Sequence, residues 1–178
     1  MPRRLPCTEA KVLGNFFMLF AVLVIVLQYY CFALVVWGPL ALAGSRYAQV
    51  VLVFFHILVV LLSWSFVQVV MTDPGQVPPF WGFHVNDSEK KRKRYCLMCN
   101  LFKPERCHHC SVCNRCVINM DHHCPWVNNC IGFWNRKYFV LLLIYTQLSC
   151  YYYAALMLPH FIDAANAFMP LYYSYSSG

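Results

Sequence analysis

Long stretches without charged residues constrain this chain most strongly. No charged residue occurs between Lys11 and Arg46, a stretch of 34 residues, and the next stretch, from Arg46 to Asp73, has 26. A third stretch of 25 residues separates Lys137 from Asp163. A membrane-spanning helix needs about 20 mostly apolar residues. The sequence therefore predicts three transmembrane helices, over about 13–36, 47–71 and 138–158.

The composition of the chain excludes two broad classes of protein. Hydrophobic residues account for 60% of its 178 residues and charged residues for 12%. Soluble domains have about 45–50% apolar and 25% charged residues, and disordered chains have fewer apolar residues still. The chain is therefore predicted to be neither a soluble globular enzyme nor an intrinsically disordered protein.

Proline and glycine mark the expected ends of the three helices. Gly38-Pro39 follows the first helix, and Asp73-Pro74-Gly75 follows the second. Pro159 lies near the end of the third. Because proline has no backbone N–H and glycine adopts turn conformations readily, we expect a helix boundary at each place.

Basic residues lie almost entirely on one side of the predicted helices. Three precede the first helix, and ten more lie in the segment 73–137. Only Arg46 lies between the first two helices, and residues 163–178 contain none. Because basic segments are retained in the cytosol, we expect the N-terminus and the segment 73–137 to be cytosolic and the C-terminal tail to be lumenal or external.

The predicted organisation has three parts. Residues 1–72 hold the cytosolic N-terminus and the first two helices, residues 73–137 form a cytosolic segment, and residues 138–178 hold the third helix and the tail. Within the cytosolic segment, Lys90–Arg94 is either a solvated charge run or a patch that attracts anionic lipid. The run is short and tethered beside a membrane, so nucleic-acid binding is not expected.

The cysteines of the cytosolic segment follow a regular spacing. Eight of the 11 cysteines lie between Cys96 and Cys130, and the pattern Cys-x2-Cys-x9-His-x6-Cys occurs twice, the second copy displaced by 14 residues. In the reducing cytosol, two interleaved Cys3His sets indicate two closed, tetrahedral structural Zn²⁺ sites rather than disulfides. The first set contains Cys96, Cys99, His109 and Cys116, and the second contains Cys110, Cys113, His123 and Cys130.

One cysteine is left over by the repeat. Cys124 stands 14 residues after Cys110, but Val127 stands where a third set would need its second cysteine. Cys124 therefore has the setting of a metal ligand without a metal site, and we predict that its thiol is free. A buried structural cysteine beside a surface histidine is the alternative interpretation.

The neighbours of Cys124 are those that nucleophilic catalysis needs. Pro125 favours an extended backbone, in which side chains alternate, so that His122 shares the face of Cys124 while His123 points toward metal. An ordinary thiol is only slightly ionised at neutral pH, and a neighbouring imidazole can accept its proton. His122 is the predicted general base, and Asp121 is predicted to orient it, provided that the chain turns at Asp121.

The location of Cys124 limits its substrate. The residue lies shortly before the third predicted helix, in a loop anchored to the membrane at both ends. A thiol at the bilayer surface can accept an acyl group from a donor whose chain lies among the helices. Basic side chains nearby are candidates for binding phosphates of such a donor, and aromatic ones for lining the acyl path. The basic candidates are Arg106, Arg115, Arg136 and Lys137, and the aromatic candidates are Trp126 and Phe139.

The cysteine-rich segment resembles the DHHC-type protein S-acyltransferases, also called palmitoyltransferases. The resemblance rests on Asp121-His122-His123-Cys124 and extends to His108-His109-Cys110 and to the run from Cys124 to Gly132. Asp73-Pro74-Gly75, after the second helix, resembles the family's DPG motif. The resemblance covers residues 73–139 closely and the flanking helices in layout only.

The resemblance implies a fold and an activity. The fold is an α-helical multi-pass membrane protein with a small, zinc-braced, cysteine-rich cytosolic domain of short strands and loops. Cys124 would accept a palmitoyl or other long-chain acyl group from acyl-CoA, with His122 as base and Asp121 as its partner, and pass it to a cysteine of a membrane-associated protein. The family's two Zn²⁺ sites fall on the eight residues of the repeat. The family also implies an endomembrane location, in Golgi or ER rather than in the plasma membrane.

Two departures from the family pattern modify these expectations. The family usually has four spans followed by a TTxE motif, whereas this sequence has room for three and lacks the motif, so we expect a chain truncated before the fourth span. The alternative function is then a catalytically inactive, zinc-braced membrane adaptor. Cys107 stands where the family usually has another residue, and we expect a harmless substitution there.

Overall fold

The chain folds into two compact units. The computed structural model describes residues 7–79, 81 and 94–176, without the side chains of residues 7, 8 and 170–176. The first unit comprises the described residues of 1–26 and 63–142, and the second comprises those of 27–62 and 143–178. Within the basic run Lys90–Arg94, residues 90–93 lie outside the described residues.

Helices form the two ends of the chain. Helix α1 spans Cys7–Tyr29 and continues through a π-helical segment, Tyr30–Trp37, into α2, Gly38–Leu42; α3 spans Arg46–Met71 and α4 spans Arg136–Ser176. Among the described residues, three helical stretches are long and apolar enough to cross a membrane: Glu9–Leu42, Arg46–Met71 and Arg136–Met169. The predicted class, an α-helical membrane protein with three spans, is confirmed.

The predicted end of the first helix at Gly38-Pro39 is wrong, because helical structure continues to Leu42. The turns before Pro39 widen into the π-helix, in which hydrogen bonds run from residue i to i−5, and this accommodates a residue without a backbone N–H. Gly38 permits the widening, since a Cβ atom at this position would overlap the carbonyl oxygen of Ala33.

The predicted end of the third helix near Pro159 is also wrong. Helix α4 passes through Pro159 and runs on to Ser176, well beyond the predicted span of about 138–158. Proline holds φ near −65°, which is a helical value, so a long helix can continue through it at the cost of one backbone hydrogen bond.

Aromatic side chains form the core of the second unit. Phe32 and Phe55 are fully buried and stack with their ring centroids 4.1 Å apart. His56 Nδ1 lies 2.6 Å from the Leu52 carbonyl oxygen, and its Nε2 lies 3.1 Å from the Tyr29 hydroxyl. Because both ring nitrogens have partners within the chain, His56 is a satisfied packing residue.

Three antiparallel hairpins form the cysteine-rich part of the first unit. Their strands have two or three residues each, and cysteines supply much of the buried surface between them. A core this small needs cross-links to stay folded. The predicted domain of short strands is confirmed. Strand β1 (Tyr95–Cys96) pairs with β2 (Leu101–Phe102), β3 (His108–Cys110) with β4 (Arg115–Val117), and β5 (His122–Cys124) with β6 (Asn129–Ile131).

A tight turn after α3 joins that helix to the hairpins. The Gly75 N–H donates to Asp73 Oδ1 at 2.8 Å, and Gly75 has φ +119°, a backbone conformation that favours glycine. The Ile118 N–H donates to the Gly75 carbonyl at 3.0 Å, and the Trp134 N–H donates to the Pro74 carbonyl at 3.3 Å. The Asp73-Pro74-Gly75 motif therefore docks onto the chain segments that follow β4 and β6.

Asn129 caps the C-terminal end of α3. Its Nδ2 lies 3.0, 3.2 and 3.1 Å from the carbonyl oxygens of Val69, Val70 and Thr72. The last carbonyl groups of a helix have no partner within the helix, so a side-chain donor at this place replaces water. The cap links the strand after Cys124 directly to the membrane helix.

Asn135 connects the third hairpin to the start of α4. Its side chain is fully buried; Oδ1 accepts from the Gly132 N–H at 2.9 Å and Nδ2 donates to the Cys130 carbonyl at 2.8 Å. Its own carbonyl accepts from the Phe139 N–H at 3.1 Å, the first hydrogen bond of the helix. One side chain thus satisfies two backbone groups where water is excluded.

Replacing Asn135 with leucine is expected to destabilise the protein by about 2–4 kcal/mol, because two buried backbone groups lose their partners. Thermal unfolding in detergent, monitored by size-exclusion chromatography, should show a drop of several degrees in the midpoint temperature of unfolding. Asn166→Leu is the matched control, since Asn166 is exposed on the same helix. Equal midpoints for the two variants would contradict the assigned role of Asn135.

Candidate active site and metal centres

The turn of each hairpin is a five-residue Cys-x3-Asn segment, here called a knuckle. The first knuckle is Cys96–Asn100, the second is Cys110–Asn114 and the third is Cys124–Asn128, so they recur every 14 residues. The final asparagine has a left-handed backbone in each, with φ of 50°, 50° and 46°. Asparagine tolerates this conformation better than most residues. The sequence repeat is therefore also a structural repeat.

The first predicted metal set comes together in space. His109 Nδ1 lies 3.6, 3.2 and 4.0 Å from the sulfurs of Cys96, Cys99 and Cys116. Tetrahedral zinc, with bonds of about 2.3 Å to sulfur and 2.0–2.1 Å to nitrogen, requires ligand separations of roughly 3.5–3.8 Å. The first knuckle supplies two ligands, and the paired residues His109 and Cys116 of the second hairpin supply the others.

The second set repeats this geometry one hairpin further along. His123 Nδ1 lies 3.7, 3.5 and 3.7 Å from the sulfurs of Cys110, Cys113 and Cys130. The second knuckle supplies the first two sulfurs, and the cross-strand pair His123 and Cys130 of the third hairpin completes the set. In both sets all ligand atoms lie within 4.8 Å of one another. The two Cys/His clusters predicted from sequence are confirmed as groups able to hold zinc.

The electrostatics of the second set suit a cation. Hydrogen bonds with Cys113 and Cys130 hold the pKa of the Cys110 thiol well below its usual range. Hydrogen bonds to the Cys110 and Cys113 sulfurs raise the pKa of His123 to about 9. The raised pKa of His123 reflects thiolate charge at Cys110 and Cys113, and hydrogen bonds with these two sulfurs raise the pKa of the Cys130 thiol. Four soft or borderline donors of this kind select Zn²⁺. Bound there, the ion would act as a cross-link between hairpins.

The third knuckle has no metal set. Cys124 occupies the position of Cys96 and Cys110, but Val127 fills the position of the second cysteine and is 1% exposed. Cys124 lies outside both four-residue clusters found among the described residues. Its side chain is 6% exposed, at the end of β5. Cys124 therefore lies in a turn of the kind that supplies metal ligands in the other two hairpins, but it belongs to neither metal set.

Asp121 and His122 lie immediately before Cys124. The backbone is extended over His122–Cys124, as expected, and the ring of His123 faces the second metal set. Asp121 Oδ2 lies 3.7 Å from His122 Nδ1, within ion-pair distance but longer than a hydrogen bond. The His122 ring also packs edge-to-face on Phe139, with centroids 5.3 Å apart. Asp121 thus contacts His122 from just outside the strand.

The candidate acyl-CoA contacts occupy different surroundings. Phe139 packs against His122, the predicted general base. Trp126 packs instead against Phe17 of α1, with ring centroids 5.1 Å apart. Lys137 Nζ lies 4.8 Å from the ring centroid of Tyr138.

The arginine candidates already have partners within the chain or lie exposed. Arg136 Nη2 donates to the Asn119 carbonyl at 2.8 Å, and Arg106 is exposed with φ 54°. Arg115 Nη1 donates to Asp73 Oδ2 at 2.7 Å. Phosphate binding by these residues stays a prediction.

The ion pair of Arg115 with Asp73 joins the second hairpin to the turn after α3. Burial of Asp73 opposes its ionisation, but hydrogen bonds from the Arg115 guanidinium and the Gly75 N–H outweigh it and lower the pKa of the carboxyl. From the sequence, Arg115 was predicted to bind phosphate, and its pairing with Asp73 was not predicted. The two residues are 42 positions apart, so no local pattern signals it.

Two asparagines make contacts that were not predicted from the sequence. Asn128 and Asn129 were noted only as part of the family motif, yet Asn129 caps α3 and Asn128 contacts α1. The recurrence of asparagine every 14 residues, at the end of each knuckle, was a detectable signal for the turn, although not for its contacts.

Fold and site together define a class of protein: a multi-span membrane protein that carries two interleaved Cys3His sets and an uncommitted cysteine preceded by Asp-His-His. Residues 89–175 match the DHHC family model, described as DHHC palmitoyltransferase. This part of the chain is a DHHC domain, and the family resemblance predicted from the sequence is confirmed.

Curated relatives agree with the family model. The chain is 41% identical to probable protein S-acyltransferase 14 of Arabidopsis thaliana over 180 residues, covering 88% of this chain and 59% of that protein. It is 42% identical to probable protein S-acyltransferase 13 of the same plant, covering 88% and 58%. Palmitoyltransferase ZDHHC20 of Mus musculus is 37% identical, with 85% of this chain and 48% of that protein covered. The chain thus spans about half to three-fifths of the length of these relatives.

Proposed function

We propose that this protein is a protein S-acyltransferase that uses Cys124 as its nucleophile. The observation that carries the proposal is the third knuckle, where Cys124 keeps the place of a metal ligand while Val127 removes the metal site. A thiol outside both metal sets, two residues after His122 on the same strand, supports covalent catalysis with His122 as its base. The names of the relatives, protein S-acyltransferase and palmitoyltransferase, support this reaction class.

The proposed reaction has two thioester exchanges. His122 accepts the proton of the Cys124 thiol, and the sulfur attacks the carbonyl carbon of a long-chain acyl-CoA such as palmitoyl-CoA. The bond from that carbon to the CoA sulfur breaks, and CoA leaves as a thiol after taking up the proton. A cysteine thiol of a membrane-associated protein then gives its proton to His122 and its sulfur attacks the carbonyl carbon of the acyl-enzyme. The bond from that carbon to the Cys124 sulfur breaks, and Cys124 takes up the proton to become a thiol again. Each step replaces one thioester by another, so the enzyme's contribution is activation and positioning.

The two Cys/His sets have a bracing role in this proposal. Each set has four protein ligands and leaves no open coordination position, which is typical of structural rather than catalytic Zn²⁺. The second set uses His123 and Cys130, on the two strands that flank the third knuckle. Holding these strands together keeps Cys124 and His122 in one extended segment.

The membrane context of the proposal follows from the three apolar helices and the distribution of basic residues. Residues 73–137, between the second and third spans, would face the cytosol, with 1–72 and 138–178 as the membrane parts. The family resemblance alone suggests an endomembrane, such as Golgi or ER, as the location. Phe139 beside His122 is the proposed contact for the acyl chain, together with Trp126. Arg115, Arg136 and Lys137 are the proposed contacts for CoA phosphates.

Labelling with a fatty-acyl probe tests the proposal. The purified chain, incubated with an alkyne analogue of palmitoyl-CoA, is expected to acquire label that hydroxylamine removes. Cys124→Ser should lose the label, whereas Cys107→Ser should retain it, because Cys107 is a buried thiol outside the third hairpin. A folded, metal-loaded chain without label would favour the alternative, a non-catalytic membrane adaptor, and label on Cys107 would contradict the assignment of the nucleophile.

A further inference from the structure

The third knuckle is not part of either four-ligand set found among the described residues. In the first two knuckles, the cysteines join a histidine and a cysteine from the next hairpin in a four-ligand set. After β6, the described chain enters α4 at Arg136, so no fourth hairpin follows to supply such a pair. The third knuckle nevertheless keeps the same turn, with Asn128 at φ 46°.

Helix α1 contacts the third knuckle directly. Asn128 Nδ2 donates to Asn15 Oδ1 at 2.7 Å and lies 3.3 Å from the Lys11 carbonyl oxygen. Trp126, in the middle of the knuckle, packs on Phe17 with ring centroids 5.1 Å apart. The knuckle therefore has both a polar and an aromatic contact with one face of α1.

Gly14 brings the backbone of α1 against the knuckle. Gly14 is buried, and a Cβ atom added there would overlap Oδ1 of Asn128 and lie 2.6 Å from its Cγ. A side chain at this position would require the Asn128 side chain to move. The corresponding asparagines of the other knuckles, Asn100 and Asn114, are exposed, so the contact belongs to the third knuckle alone among the three.

We propose that Asn128, Asn15 and Gly14 form a clasp that positions Cys124 for acyl transfer, taking the place that Zn²⁺ would have in the other two knuckles. Asn128 is a positioning residue, since it acts on the knuckle and not on the reacting atoms. The arrangement has a chemical reason: a metal at this place would bind the Cys124 sulfur, whereas an amide contact four residues along the chain fixes the backbone and leaves the sulfur free. This inference rests on the proposed function.

The test compares Asn128→Gly with Asn114→Gly in the full chain. Both substitutions keep the left-handed turn, but only the first removes the contact with α1. We expect Asn128→Gly to lower the kcat for acyl-enzyme formation about tenfold, because small displacements of a nucleophile are costly, and to leave the KM for palmitoyl-CoA within about twofold. Metal analysis should still count two zinc ions per chain.

Hydrogen exchange supplies a readout that does not depend on activity. The Asn128 N–H donates to the Pro125 carbonyl at 3.2 Å, a bond that opens if the third knuckle loosens. Amide exchange in the peptide 124–128 should rise in Asn128→Gly and in Asn15→Ala, and the double variant should exchange no faster than the single variants, since both remove one contact. Asn114→Gly should match the unmodified chain in this peptide.

Unchanged exchange and unchanged kcat in Asn128→Gly would overturn the clasp, and so would loss of a zinc ion or an equal effect of Asn114→Gly. Failure of the proposed function looks different. In that case the unmodified chain carries no Cys124-dependent label, and the exchange of peptide 124–128 alone decides whether α1 holds the knuckle.

Discussion

Replacing His109 or His123 with alanine is expected to remove metal from the protein and to unfold the hairpins that the metal joins. The strands have two or three residues each, and the buried surface between them is largely cysteine, so little other cohesion is available. Structural zinc contributes on the order of 10 kcal/mol to folding in small domains, and the loss of a ligand should cost at least about 4 kcal/mol. Elemental analysis of the purified chain should fall from two zinc ions to one.

Neighbouring histidines are the matched controls for this experiment. His108 precedes His109 on β3 and is exposed, and His122 precedes His123 on β5. His108→Ala and His122→Ala should both retain two zinc ions. Cys124→Ala should do the same, and loss of zinc in that variant would show that the ligand assignment is wrong.

The two sets differ in what depends on them. His123 and Cys130 lie on the strands of the third hairpin, so loss of the second set should also abolish acyl labelling of Cys124. His109 and Cys116 lie on the second hairpin, which still has the Asp73–Arg115 ion pair and the turn at Gly75 as supports. Labelling should therefore survive better in His109→Ala than in His123→Ala.

The second large effect is expected at His122. His122→Ala should slow formation of the acyl-enzyme by about 10²–10⁴-fold, the usual contribution of a positioned general base. Asp121→Asn should have a smaller effect, about tenfold, because the carboxylate lies 3.7 Å from Nδ1 and both side chains are partly exposed, which weakens their attraction. The rate of CoA release in a single turnover measures both.

Two controls make this prediction specific. Each variant should keep two zinc ions, which separates lost catalysis from lost folding. His108→Ala provides a histidine of the same local sequence on the second hairpin and should react at the unmodified rate. If His122→Ala formed the acyl-enzyme as fast as the unmodified chain, another group would have to be the base.

The cysteine-rich domain was predictable from the sequence because its determinants are local. A displacement of 14 residues identifies all eight members of the two Cys/His clusters, and the structure brings together those same residues. The same displacement singles out Cys124 and Val127. Ligand spacing of this kind reflects the geometry of a tetrahedral metal site, which permits few arrangements of chain between ligands.

The helix ends were harder to predict because proline and glycine act according to context. Pro39 and Pro159 were expected to end helices, yet both lie within helical structure. A π-helical segment with room at Gly38 accommodates the first, and the helical φ of proline accommodates the second. Local propensity is a weak guide where the alternative is to expose unpaired backbone groups to an apolar surrounding.

By itself the sequence determined the membrane class, the two metal sets and the uncommitted thiol, since charge-free length and ligand spacing are read along the chain. Only the tertiary structure decided what supports the thiol: Asn128 on α1, Asn129 at the end of α3, and Arg115 on Asp73. The partners in these three contacts are 113, 60 and 42 positions apart in the sequence. Such contacts depend on how helices and hairpins pack, and Asn114, the equivalent asparagine of the second knuckle, is exposed.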